Sequence, residues 1–64
     1  MATANQNFHG TFFSKLAREE LARGAVWMAE MTARLALRTD EKNREYAELV
    51  ALTEHARRAA TGEG

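Results

Sequence analysis

Residues 13–35 read FSKLAREELARGAVWMAEMTARL. Within them Phe13, Ala17, Leu21, Gly24, Met28, Met31 and Leu35 recur at steps of four and three. Sustained over about three heptads, that spacing gathers the set on one side of an α-helix, as in bundles and coiled coils. Trp27 sits beside this seam, next to Met28 and one turn from Met31, where a large ring can cover the edge of an interface. Glu19 with Arg23, and Glu30 with Arg34, stand four apart with the acid first, the favourable order for helix surface pairs. They mark the solvated side.

Past Leu35 the seam fails, because Arg38, Lys42 and Glu45 occupy the places a continuing heptad would give to apolar residues. Thr39 is a plausible N-cap, with Asp40 and Glu41 in the following turn where negative charge suits the positive end of a helix dipole. The pattern therefore predicts a tight turn around residues 37–41 joining a first helix over about 11–37 to a second over about 40–60. The fold class is all-α, a two-helix antiparallel hairpin over 11–61. The competing form is one unbroken helix of about 45–50 residues, since no glycine or proline enforces the turn. Tyr46, Leu49, Leu52 or Thr53, Ala56 and Ala59 or Ala60 make a second, weaker stripe. Arg57 and Arg58 suit the negative end of that helix. Small residues at Ala22, Ala29 and Ala36, and at Ala47, Ala51 and Ala56, let helix axes approach closely, and Gly24 permits a close crossing within the first helix.

Residues 1–10 are mainly polar with one aromatic, Phe8, and form a flexible lead-in, with Gly10 interrupting any helix that starts there and Thr11 or Ser14 as N-cap. Residues 62–64 read as a tail. The whole chain has 64 residues, no proline, no cysteine and no glycine between Gly24 and Gly62, and it is rich in alanine. Helix is the default under such a composition. Lack of cysteine fits a reducing compartment. The longest uncharged stretch of the helical region, Gly24 to Ala29, is far short of the roughly 20 residues that span a bilayer. With no secretory signal pattern at the N-terminus, a cytoplasmic protein with no membrane span is expected.

Nine basic and nine acidic residues cancel, which removes the simplest case for nucleic acid or an anionic membrane. Residues 15–38 hold five basic against three acidic residues, a balance of +2, and residues 39–64 hold four against six, a balance of −2. These halves attract each other within or between chains.

The large apolar residues (Phe12, Phe13, Leu16, Leu21, Val26, Trp27, Met28, Met31, Leu35) stand mainly on the first helix, and the second cannot cover them all. Each one left bare forgoes roughly 1.5–3 kcal/mol. Association is the expected remedy, as a two-fold dimer of hairpins forming a four-helix bundle or as docking into a larger assembly. In size and inferred shape the chain is similar to short antiparallel hairpins that dimerise, a likeness of architecture that carries no residue across.

No pattern points to catalysis. His9 and His55 have no His or Cys at a ligand spacing, and Leu52 stands where a metal-binding Glu would precede His55. Neither metal nor other cofactor is expected. Glu41, Glu45 and Glu48 share a face but read as solvation; Ser14 lacks a triad; no glycine-rich phosphate loop occurs. The expected function is a non-enzymatic protein-interaction module, an adaptor, regulator or accessory subunit, whose interface is Phe13, Ala17, Leu21, Gly24, Trp27, Met28, Met31 and Leu35. The alternative is a small nucleic-acid-binding regulator using Phe12, Lys15, Arg18 and Arg23, since aromatic rings among basic residues can stack on bases and neutralise phosphates.

Overall fold

The computed structural model describes the backbone of residues 2–62 and the side chains of residues 9–62. Phe8 of the aromatic group, and Glu63 and Gly64 of the expected tail, lie outside the described side chains. Among the described residues the chain is helical without strands: α1 spans Ala2–Ala22, α2 Val26–Thr39 and α3 Arg44–Thr61. The two-helix hairpin expected from the sequence is thus corrected to three helices, because the long first helix breaks in its middle.

Gly24 makes the break. Its φ of +83° lies in the left-handed region, which costs a residue with a Cβ roughly 1–2 kcal/mol. The Gly24 amide donates to the Leu21 carbonyl at 3.0 Å and the Ala25 amide to the Glu20 carbonyl at 2.8 Å. This pair of bonds is a Schellman motif, which satisfies the last carbonyls of α1 and turns the chain back. Val26 then starts α2 with no side-chain cap at Ala25. A Cβ added at Gly24 would meet nothing within 4 Å, so the cost of filling it is conformational alone. Gly24→Ala is expected to lose about 1–2 kcal/mol in urea denaturation, and an unchanged midpoint would contradict the assignment of the break to this residue.

The start of the first helix is also corrected. α1 runs through Gly10 to Ala2, and Ser14, inside it, donates to the Thr11 carbonyl at 3.0 Å instead of capping. Gly10 is buried where α1 crosses the end of α2 and the start of α3. A Cβ there would lie 2.5 Å from Thr39 Oγ1 and 2.8 Å from Tyr46 Cε2. The missing side chain lets three helices meet.

The second reversal falls at residues 40–43, later than expected. Thr39 closes α2, its hydroxyl donating to the Ala36 carbonyl at 2.6 Å, so it is not the cap of the next helix. Asn43 is the N-cap, with its Oδ1 accepting from the Tyr46 amide at 3.2 Å. Glu45 supplies the acidic first turn. At the far end Gly62, φ +81°, closes α3.

α2 is the shared element, packing on both α1 and α3, which meet each other far less. The particle is long and shallow, 44 × 21 × 12 Å. Small residues fill the core: Ala17, Ala29, Ala33, Ala36 and Thr53 are fully buried, and among the larger apolar side chains of the described residues only Tyr46 and Leu49 join them. Burial of Ala29 and Ala36 fits their expected role in close helix pairing, while Ala22, Ala47 and Ala51 are exposed. No described helix is long and apolar enough to cross a membrane.

Candidate protein-interaction face

Reversal at Gly24 splits the seam. On α1, Ala17 is fully buried and Phe13 and Leu21 are half-buried; on α2, Met28, Met31 and Leu35 retain 55%, 69% and 42% of their exposure. Gly24 itself lies in the exposed turn. The eight residues expected to share one interface therefore do not form one surface.

The reason is geometric. After the chain turns back, α2 approaches its neighbours along Ala29, Ala33 and Ala36, also spaced four and three. At about 100° per residue, Met28, Met31 and Leu35 then point away from that contact. Two stripes compete for the inside of α2, and the smaller side chains occupy it because they allow close approach on both flanks. An apolar strip remains on the outer side.

Trp27 stands apart from the strip. The guanidinium of Arg57 lies 4.9 Å from its ring centroid, a cation–π contact that ties α2 to the end of α3. Arg57 Nε also donates to Glu30 Oε1 at 2.6 Å, and Arg34 Nη2 donates to Glu30 Oε2 at 2.8 Å. Glu30 is buried, which corrects its reading as part of a solvated pair; only Arg34 is on the outside. Glu19 and Arg23 form no ion pair among the described residues, since Arg23 has left the helix for the turn.

Compared with protein-family models, with curated proteins and with solved structures, the chain matches none.

The aromatic and basic residues of α1 do not converge. Phe12 is exposed, with its ring edge-on to Phe13 at 5.6 Å between centroids. Lys15 shares a shallow depression with Phe12, Leu16 and Glu19. Arg18 instead lines a groove between α1 and α3, beside Glu45, Glu48, Leu49 and Leu52. Arg23 is in the turn. Each cation thus has its own surroundings, and acidic side chains share two of them. No cluster of three or more His, Asp or Glu side chains that could hold a metal forms among the described residues.

Periodicity gave no sign of Glu20, which is 3% exposed and whose Oε1 is buried without a hydrogen-bond partner. Its place on α1, one turn from the break, is set by the tertiary fold. A buried polar atom without a partner costs roughly 1–3 kcal/mol, so Glu20→Met, similar in length and apolar, is expected to raise stability by about that amount. A lower thermal midpoint in that variant would show that the carboxylate contributes to folding.

Proposed function

We propose that this chain is a non-enzymatic protein-interaction module, a small helical adaptor, regulator or accessory subunit that binds through the outer strip of α2. The observation that carries the reading is the exposure of Met28, Met31 and Leu35 while alanines fill the core beneath them. Covering apolar surface is worth about 25 cal/mol per Å², and a contiguous strip of large side chains on a small chain is the usual mark of a contact surface. Two of the three are methionines, whose unbranched, polarisable side chains adapt to a partner's shape.

Affinity capture with tagged wild type and tagged Met31→Glu tests the reading. With any untagged copy of the chain matched to the bait, wild type with wild type and variant with variant, at least one protein should be retained by the wild type and lost from the variant at unchanged helicity. Identical capture by both would overturn it. The nucleic-acid reading has weaker support, because Lys15 and Arg18 sit in different surface features with Glu19, Glu45 and Glu48 beside them.

A further inference from the structure

We infer that the occupant of the α2 strip is a second copy of this chain, whose groove between α1 and α3 receives it head-to-tail. The inference rests on the interaction reading above and names its partner.

α1 and α3 lean on α2 and scarcely on each other, leaving a trough lined by Arg18, Glu45, Glu48, Leu49 and Leu52. Leu52 on its wall is half exposed. Three helices with an open trough accept a fourth to complete a four-helix bundle. The fourth must carry large apolar side chains, and the α2 strip does.

The charges of the two surfaces are complementary. Glu45 and Glu48 are exposed and belong to no ion pair among the described residues. The C-terminal half of the strip carries Arg34 and Arg38, of which Arg38 is exposed and belongs to no ion pair there either. A leucine-bearing trough with two carboxylates, Glu45 and Glu48, against one cation, Arg18, faces a basic, methionine-bearing strip.

Register joins the two. With α2 of one copy antiparallel to α3 of another, the register that sets Arg38 opposite Glu45 also sets Met31 opposite Leu52, and Arg34 then lies beside Glu48, one residue from direct opposition. These positions are spaced four and three on α2 and three and four on α3, so each set shares a helix face. Arg34 need not leave Glu30, because a guanidinium has five donors. Sliding either helix by one residue takes both Arg38 and Met31 out of opposition to Glu45 and Leu52.

Strip and trough are different surfaces, so the contact is heterologous and continues beyond two copies unless a ring closes. Sedimentation velocity of the wild type should therefore show mass that rises with concentration. Met31→Glu blocks the strip and Leu52→Glu blocks the trough, both at exposed positions where helicity by circular dichroism should be unchanged. Each variant alone should be monomeric, and an equimolar mixture should form a discrete one-to-one heterodimer through the intact strip of one and the intact trough of the other. A symmetric strip-to-strip contact cannot do this. A mixture that stays monomeric, or a wild type that stays monomeric and helical up to millimolar concentration, would overturn the second-copy inference while leaving the capture experiment to decide the broader reading. Arg38→Glu should weaken assembly by up to about fivefold, and adding Glu45→Arg to it should restore the affinity; no restoration would overturn the register.

Discussion

Replacing Glu30 with alanine is expected to remove about 3–5 kcal/mol of folding stability, the usual effect of deleting one member of a buried ion pair. Its carboxylate, 5% exposed, receives Arg34 at 2.8 Å and Arg57 at 2.6 Å. The Arg57 bond is the long-range one, reaching from α3 to α2 beside the Trp27 stack. At about 0.05–0.15 kcal/mol per residue, a chain of 64 residues holds about 3–10 kcal/mol in all. The variant should therefore be largely unfolded when warmed to physiological temperature, as followed by far-ultraviolet circular dichroism. Exchanging both partners, Glu30→Met with Arg57→Leu, should cost less than Glu30→Ala alone, because the Arg57 charge is then not left facing an empty place at Glu30. A Glu30→Ala chain within about 0.5 kcal/mol of wild type, the range of ordinary surface changes, would show that the pair is dispensable.

Gly10→Leu is expected to cost about 3 kcal/mol, near the top of the range for overpacking. Even a methyl group at this site meets Thr39 Oγ1 at 2.5 Å and Tyr46 Oη at 2.9 Å. Neither neighbour yields freely: the Thr39 hydroxyl is bonded to Ala36, and the Tyr46 ring is buried. Gly10→Ala should lose less, since the better helix propensity of alanine returns about 1 kcal/mol. Denaturation midpoints in the order wild type, alanine, leucine would support the three-helix junction, whereas a leucine variant as stable as wild type would place α1 farther from Tyr46.

Helix content and class were legible in the sequence, for they follow from alanine, the absence of proline and the spacing of apolar residues. Connectivity was legible only in part. A single glycine inside a helical pattern is compatible with a continuous helix or a C-terminal cap, and the choice at Gly24 turns on whether α2 gains more by folding back. A periodicity argument sees no such gain. The same limit explains Thr39 against Asn43: both residue types cap well, and the start of α3 is set by where Tyr46 meets Gly10. Glu30 illustrates a different gap, since its partner Arg57 lies 27 positions away and no local rule links them.

The candidate face was legible as a set of residues but not as a surface. Met28, Met31 and Leu35 were expected at an interface, and they are exposed as one strip. Phe13, Ala17 and Leu21, drawn from the same repeat, turned inward on α1 or stayed half-buried. A repeat of four and three identifies which residues share a side of one straight helix. It says nothing about neighbours once that helix is two.

α2 presents alanine inward and methionine outward. Oxidation of Met28 and Met31 by dilute peroxide, resolved by mass spectrometry, reads this directly because thioether oxidation follows access. In dilute, fully helical protein both should oxidise nearly as fast as in the chain unfolded by denaturant, slowed only by the partial cover of their side chains, and both should slow together as concentration rises. Strong protection of the two methionines in dilute, helical protein would contradict it.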